Sequence, residues 1–256
     1  MMYDIILYTM LSLAAVVFVA LLFFKAGYGY LGGGKWGPLL NNRLAWVLME
    51  APAFLTMLYL LIRSISSGDT RGNAAAYVIS GLFLLHYFQR SFIFPLLMRG
   101  KGTMPVSIMA TGMLFNCANA WLIGVWLFEK CPEGAYGPDW FTSGYFIVGT
   151  LIFFTGMFIN LQSDHIVRNL RKPGDSGHYI PRKGLYKYVT SANYFGEFVQ
   201  WCGYAVLSLS PAAFVFAIWT FANLAPRSKS LSEKYVQEFG EEYISLNKKN
   251  MIPFIW

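Results

Sequence analysis

The chain has few charged residues and lacks the cysteine and histidine patterns that hold disulfides or metal ions. Only 13% of its 256 residues are charged, against about 25% in a typical soluble domain. Its three cysteines (Cys117, Cys131 and Cys202) are widely separated, and its three histidines form no HExxH or HxxxH pair. These spacings exclude a disulfide framework and argue against a zinc or other metal site.

The first residues, MMYDIILYTM, also lack the basic segment that precedes the apolar core of a cleaved signal peptide. What the chain has in abundance is apolar sequence, since 56% of its residues are hydrophobic and 18% are aromatic. This composition predicts an all-α integral membrane protein with a single domain over residues 1–256, because helices satisfy their backbone hydrogen bonds inside a bilayer. The aromatic residues suit interfacial belts and a ligand cavity.

Several apolar segments are long enough to cross a bilayer as helices, which takes about 20 residues each. The last apolar region is too long for one span, and we divide it near Pro211 because proline is favoured at the start of a helix. The sequence therefore predicts seven spans, at residues 5–24, 44–65, 74–98, 105–128, 140–165, 189–208 and 211–230. We expect the following residues either to continue the last helix or to form a helix on the membrane surface.

Basic residues are concentrated in the first, third and fifth loops and in the C-terminal segment, whereas the fourth loop is acidic. Basic loops tend to remain in the cytoplasm. Only an odd number of spans puts these basic segments on one side. The pattern predicts an N-terminus outside and a C-terminus in the cytoplasm.

Charged and amide side chains occur inside several predicted spans, where they cost free energy and commonly mark a functional site. Glu50 lies just before Pro52 in the second span, and Tyr87 lies in the HYFQRSF stretch of the third. A tyrosine hydrogen-bonded to a buried glutamate is a suitable proton donor to a substrate carbonyl. The alternatives are a glutamate that pairs with a neighbouring helix near a kink, and an aromatic helix face from which Arg90 reaches the interface.

Two asparagines, Asn116 and Asn119, lie one helical turn apart in the fourth span. Asparagine in a membrane helix either contacts a ligand or joins helices through hydrogen bonds. The sequence leaves both interpretations open.

The densest polar stretch runs from residue 160 to residue 197, between two apolar segments. Its polar residues recur at helical spacing on one face of each flanking helix, and a basic loop joins them: Asn160, Asp164, Arg168 and Arg171 precede the loop, and Asn193 and Glu197 follow it. Basic side chains bind phosphates, while amides and carboxylates suit ribose and amide groups. The stretch therefore predicts a site for a polar anionic ligand. The alternative, a loop that is basic only because it is cytoplasmic, does not explain the polar residues within the helices.

Five blocks of sequence carry a resemblance to a known family: WVLMEAPAF, LHYFQRSFIFPLLMRGK, GMFINLQSDHIVRNLRKPGD, YIPRKGLYKYVTSANYFGEFVQWCGYA and KKNMIPFIW. In these blocks the sequence resembles the steroid 5α-reductase (3-oxo-5-alpha-steroid 4-dehydrogenase) family, as a bacterial member. The resemblance runs from about Arg43 to the end of the chain. Long-chain enoyl-CoA reductases and some sterol reductases share much of the C-terminal pattern, and the Glu50 and Tyr87 blocks favour the steroid branch.

The resemblance implies a seven-helix enzyme that uses NADPH to reduce the C4–C5 double bond of a 3-oxo-Δ4 steroid to the 5α-3-oxo product. It implies that Glu50 and Tyr87 hold the ketone while hydride reaches the β-carbon. It also implies cofactor contacts from Arg99, Lys101, Asn160, Asp164, Arg171, Tyr179, Asn193, Glu197, Arg227 and Tyr235. Lys101 and Tyr179 stand where relatives often have arginine.

The substrate is expected to lie among aromatic and polar residues of the second to fourth spans: Trp46, Phe54, Phe88, Arg90, Phe92, Phe115, Asn116 and Asn119. The aromatic assignments rest on helical spacing, and packing between helices or against lipid is the alternative. The expected partners are a steroid or another hydrophobic enone and the lipid bilayer, with no nucleic acid and no metal. We expect a monomer in a bacterial inner membrane whose cofactor site faces the cytoplasm.

Other functions remain open at this point. An enoyl-CoA or other lipid double-bond reductase would keep the cofactor residues and open a groove to an acyl chain. An enzyme similar to the isoprenylcysteine methyltransferases would bind adenosylmethionine instead of NADPH. A membrane transporter would usually show inverted repeats or paired broken helices, and the sequence shows neither.

Overall fold

The computed structural model describes residues 1–24, 37–68, 74–100, 102–171, 175 and 177–256. Helices make up most of these ranges. They are α1 (Met2–Phe23), α2 (Asn42–Ser67), α3 (Ala74–Phe88), α4 (Phe94–Leu97), α5 (Val106–Val125), α6 (Gly144–Arg168), α7 (Ala192–Ser208), α8 (Pro211–Phe239) and α9 (Glu241–Ile244). A π-helical turn, Gln89–Ile93, joins α3 to α4, and a second, Trp126–Lys130, extends α5.

Within the described residues, four helical segments are long and apolar enough to cross a membrane: α1, α2, α5 with its π-helical extension, and α6. Large apolar side chains make up much of their outward faces, and α6 places buried polar residues on its inward face. In α6, Phe158 is 63% exposed whereas Asn160, two residues later, is 4% exposed. This arrangement is the reverse of a soluble helix and matches a hydrocarbon solvent. The chain is a mostly helical membrane protein.

Two short strands bring distant loops to one end of the bundle. β1 (Leu39–Asn41) pairs antiparallel with β2 (Thr103–Pro105), with Leu40 opposite Met104. Beside this ribbon, the guanidinium of Arg43 donates a hydrogen bond of 2.5 Å to the carbonyl of Met98. The segments that precede α2 and α5 therefore lie at the same end of the bundle.

Helices α6 and α7 pack backbone against backbone along a seam of glycines. A Cβ atom added to Gly156 would lie 2.2 Å from the backbone nitrogen of Gln200, and one added to Gly196 would lie 2.4 Å from that of Asn160. Gly149 and Gly203 continue the seam with equally close approaches. Small residues let membrane helices approach in this way, and the close approach brings the polar residues of α6 and α7 together.

The C-terminal segment folds back onto the loop that joins α6 to α7. Val189 forms a parallel bridge with Lys249, and the Lys248 ammonium donates a 2.6 Å hydrogen bond to the carbonyl of Pro181. Arg182 pairs with Glu242 at 2.6 Å. Met251 is fully buried in a cluster with Leu224 and Ala225 of α8. The end of the chain thus covers one end of the α6–α7 pair.

Some helices begin or end away from the limits predicted for the spans. The helix within 140–165 begins at Gly144, because Pro138 starts a separate 3₁₀ helix, Pro138–Thr142. The helix within 189–208 begins at Ala192, because the preceding residues pair with the C-terminal segment. The last long helix continues past residue 230 to Phe239, so that a separate surface helix does not form there.

Candidate active site

Two cavities meet in the interior of the helical bundle. The larger, of about 1170 Å³, opens among the ends of α2, α4, α6 and α8 and the start of α7. The smaller, of about 430 Å³, lies among α1, α2, α3, α5, α7 and α8. Tyr194 lines both cavities. We call them the polar cavity and the apolar cavity, because arginines and amides line the first and aromatic side chains line much of the second.

The polar cavity has a hydrogen-bonded floor that joins α6 to α7. The side-chain amide of Asn160 donates to the backbone carbonyl of Asn193 at 3.0 Å. The side-chain amide of Asn193 donates to a carboxylate oxygen of Asp164 at 3.2 Å. The Tyr186 hydroxyl donates to the side-chain oxygen of Asn193 at 3.3 Å. Three of the six polar residues predicted from helical spacing, Asn160, Asp164 and Asn193, therefore meet in one network.

Asp164 keeps one carboxylate oxygen, Oδ2, buried and without a hydrogen-bond partner among the residues that the structure describes. The closest charge to this oxygen is the Arg90 guanidinium, at 3.7 Å. Because a buried acceptor without a donor is costly, this oxygen is suited to receive an N–H or O–H group from a ligand in the polar cavity.

Arg90 stands where the two cavities meet. Its guanidinium lies 3.7 Å from Asp164 and 3.6 Å from Glu197, and its side chain is 14% exposed. It also lies 4.7 Å from the ring centre of Trp46. Arg90 is thus held between α6, α7 and α2 instead of reaching the membrane interface, which excludes the alternative suggested by its sequence position.

The π-helical turn Gln89–Ile93 accounts for part of this placement. Pro95 has no N–H group, and its ring would clash with the carbonyl of Ser91 in a regular helix. A widened turn relieves this clash and turns the side chains within it relative to those of α3. Such π-helical turns are often found at functional sites.

The rim of the polar cavity contains the cations and aromatic groups predicted for it: Arg99, Arg171, Tyr179 and Tyr235. Lys101, predicted to belong with them, lies outside the described residues. The Tyr179 hydroxyl donates to Asp175 at 2.7 Å. The backbone N–H of Gly177 and this hydroxyl lower the pKa of the Asp175 carboxyl, and the rim therefore carries a negative charge among its arginines.

Glu50 and Tyr87 both lie in the apolar cavity, and Asn116 stands between them. The Tyr87 hydroxyl donates to the side-chain oxygen of Asn116 at 3.2 Å, and the Asn116 side-chain nitrogen donates to Glu50 Oε2 at 3.1 Å. That nitrogen also donates to the backbone carbonyl of Met49 at 2.8 Å. The pair expected from the sequence is therefore linked through an amide.

Aromatic side chains form much of the remaining wall of the apolar cavity. Trp46 and Phe115 line it as predicted, and Phe216 and Trp219 of α8 join them. Phe54, Phe88 and Phe92, which were predicted with them, do not line this cavity. These three rings pack on one another, and Phe88 is 47% exposed. Packing between helices, the alternative interpretation, describes these contacts.

Asn119 and Arg227 differ from the expectations in detail. Asn119 is 2% exposed and lines neither cavity. Arg227, expected near the cytoplasmic rim, lines the apolar cavity instead and is 6% exposed. Its guanidinium lies 3.4 Å from the Tyr194 hydroxyl. Both residues are thus inside the protein close to the predicted site.

Three further residues of the site, Tyr186, Tyr194 and Trp219, were not predicted from the sequence. Tyr186 and Tyr194 lie in the polar stretch that was singled out, but their hydroxyls gave no spacing signal. Trp219 lies in the last apolar region, where aromatic residues are common and give no signal of a site. Its indole N–H donates to the carbonyl of Met10 at 2.6 Å. Within the described ranges, no three histidine, cysteine or acidic side chains are grouped so as to hold a metal ion.

Comparison with known proteins gives a consistent result. A family model described as 3-oxo-5-alpha-steroid 4-dehydrogenase matches residues 102–256. The chain is 42% identical over 214 residues to 3-oxo-5-alpha-steroid 4-dehydrogenase 1 of Homo sapiens, covering 84% of this chain and 80% of the relative. It is 38% identical over 252 residues to the protein of that name from Mus musculus, covering 98% and 96%. It is 34% identical over 254 residues to Steroid 5-alpha-reductase DET2 of Gossypium hirsutum, covering 98% and 96%.

Proposed function

The chain belongs to the 3-oxo-5-alpha-steroid 4-dehydrogenase family and is an oxidoreductase acting on CH–CH groups, and from this we propose that it reduces the C4–C5 double bond of 3-oxo-Δ4 steroids with hydride from NADPH. The observation that carries the proposal is the meeting of the two cavities. A polar cavity lined by arginines and amides opens beside an apolar one that holds a tyrosine and a glutamate.

The residues of the polar cavity fit a nicotinamide dinucleotide. Arg99, Arg168 and Arg171 line it and would hold the phosphates. The free oxygen of Asp164 and the Asn193 side chain would hold ribose or amide groups. NADPH supplies hydride when it is bound. The volume of about 1170 Å³ slightly exceeds the usual range for drug-sized ligands, as a dinucleotide requires.

The apolar cavity suits a rigid hydrocarbon ring system with one ketone. Its volume of about 430 Å³ lies within the usual range for small ligands. Tyr87 would donate a hydrogen bond to the ketone oxygen, and Glu50, as a neutral carboxylic acid, would donate a second from the facing helix. A donor oriented in advance stabilises the negative charge that develops on the oxygen as hydride reaches the β-carbon.

The proposal includes an orientation in the membrane. The basic first, third and fifth loops and the C-terminal segment would lie in the cytoplasm, with the polar cavity open to cytoplasmic NADPH. The β1–β2 ribbon and the contacts of Lys248 and Arg182 support a common side for these segments. A reporter that is active only in the cytoplasm should be active when it is fused after Trp256. Exposure of the fused reporter on the outer face would contradict this orientation.

The function is tested by NADPH oxidation in purified, detergent-solubilised protein with a 4-en-3-one steroid, with an enoyl-CoA, and with neither. We expect steroid-dependent oxidation and a 5α-reduced product. Oxidation with the enoyl-CoA alone would move the substrate to the lipid class while keeping the polar cavity as a cofactor site. Absence of activity with both, together with absence of NADPH binding, would overturn the proposal.

A further inference from the structure

The side chain of Asn116 makes three hydrogen bonds to groups on two other helices. Its nitrogen donates to the Met49 carbonyl at 2.8 Å and to Glu50 Oε2 at 3.1 Å, both on α2. Its oxygen accepts from the Tyr87 hydroxyl of α3 at 3.2 Å. The residue is 5% exposed, so water has little access to these bonds.

These contacts fix which way the amide points. An asparagine side chain has two N–H donors and one carbonyl acceptor. The Met49 carbonyl accepts hydrogen bonds only, and an amide turned by 180° would place its oxygen against this carbonyl. The nitrogen must therefore face α2 and the oxygen must face Tyr87. Since that oxygen carries no hydrogen, the Tyr87 hydroxyl has to be the donor in their contact.

A competing attraction acts on Glu50. In its ionised form Glu50 would be attracted to Arg90, which lines the same cavity, and repelled by Glu197. The hydrogen bond from Asn116 holds the carboxyl on the side of Tyr87. Without it, Glu50 would be free to turn towards Arg90, and the two groups that face a ketone oxygen would separate.

We propose that Asn116 is a positioning residue, whose amide holds the Tyr87 hydroxyl and the Glu50 carboxyl at the separation that a substrate carbonyl oxygen requires. This role rests on the proposed reductase function and differs from the substrate contact expected from the sequence. When a ketone enters, the Tyr87 hydroxyl redirects its hydrogen bond from the Asn116 oxygen to the ketone oxygen, and Asn116 continues to hold Glu50. The hydroxyl turns about its C–O bond while its oxygen stays in place.

The experiment compares Asn116→Leu with Cys117→Ala. Leucine has nearly the shape of asparagine but makes no hydrogen bond. Cys117 is the next residue on α5 and lines neither cavity. Each variant is measured for kcat and KM with a 4-en-3-one steroid and for NADPH affinity. A second measurement follows the C=O stretch of a bound 5α-reduced 3-oxo steroid labelled with ¹³C at carbon 3, with NADP⁺ present.

We expect kcat of Asn116→Leu to fall at least about tenfold, with NADPH affinity unchanged from Cys117→Ala. The labelled carbonyl band should broaden or move back towards its frequency in free solution. An unchanged band overturns the proposal, because the loss of activity would then reflect packing alone. A kcat within about twofold of the Cys117→Ala value also overturns it.

If Asn116→Leu does not fold, Asn116→Asp is judged by the same two criteria. Aspartate keeps the shape and the acceptor for Tyr87, but in its ionised form it cannot donate to Glu50. The carbonyl measurement needs no turnover. It therefore tests the positioning role separately from the reductase function. A failure of the reductase function would instead appear as wild-type protein that does not oxidise NADPH when an enone is added.

Discussion

At the scale of single residues, the polar groups of the two cavities are held by specific partners. Tyr87 is 3% exposed. The centre of its ring lies 4.6 Å from the ring centre of Phe83 and 5.1 Å from that of His86. Its hydroxyl donates to Asn116 and can rotate about the C–O bond to donate to a ligand instead. Packing of this kind fixes where the donor stands before a substrate arrives, which is the condition for electrostatic stabilisation of a developing charge.

Replacing Tyr87 by Phe should therefore lower kcat by about 10²–10³-fold, because the ring still packs and only the donor is lost. The NADPH dissociation constant should stay unchanged, since Tyr87 does not line the polar cavity. Steady-state kinetics and a direct NADPH binding measurement check both parts. Tyr77→Phe is the matched control, since Tyr77 is on the same helix and packs against Phe128. Full activity in Tyr87→Phe would show that the Tyr87 hydroxyl is not the donor to the ketone oxygen.

At the scale of helices, the α6–α7 pair determines the shape of the polar cavity. The glycine seam lets the two backbones touch, and the network of Asn160, Asp164 and Asn193 depends on that closeness. Any side chain in the seam must push the helices apart. The glycine seam therefore determines both the packing of α6 on α7 and the shape of the polar cavity.

Gly156→Ala should lower the free energy of unfolding by about 1–3 kcal/mol, as overpacking does elsewhere, and should weaken NADPH binding. Thermal unfolding in detergent and a binding titration measure the two effects. Gly81→Ala on α3 is the control, because a Cβ atom there meets nothing within 4 Å. A Gly156→Ala protein as stable as the Gly81→Ala protein, with unchanged NADPH affinity, would contradict this role of the seam.

The sequence predicts part of this arrangement, because helical periodicity is a local property. It grouped Asn160, Asp164 and Asn193 correctly, since each lies at a regular interval on a helix face. Phe88, predicted to contact the substrate, lines neither cavity, and its spacing alone could not show this because aromatic residues also occur on the outward faces of membrane helices. The sequence also did not predict the link through Asn116, which depends on how α5 packs against α2 and α3.

At the scale of the whole molecule, the C-terminal segment packs against residues that line the polar cavity. The C-terminal segment pairs with the residues just before α7, and Thr190 and Tyr194 in that region line the polar cavity. Met251 anchors the segment and is 0% exposed. We therefore expect a change in the C-terminal segment to affect the polar cavity.

Met251→Ala should destabilise the protein by about 2–5 kcal/mol, the usual range for emptying a buried methionine site. It should also weaken NADPH binding, because the segment that holds the start of α7 loosens. Ile255→Ala is the control, since Ile255 is 75% exposed. If the two variants unfold at the same temperature and bind NADPH equally, the C-terminal segment does not support the site.

The central claim is that hydride passes from NADPH to the carbon β to the ketone, across the junction of the two cavities. The most direct test uses NADPH carrying deuterium at the transferable position and a 4-en-3-one steroid, with the product examined by mass spectrometry and NMR. Hydride transfer from NADPH to the β-carbon predicts one deuterium at carbon 5, on the α face. A reduced product without deuterium at carbon 5, or with the deuterium at carbon 4, would contradict it.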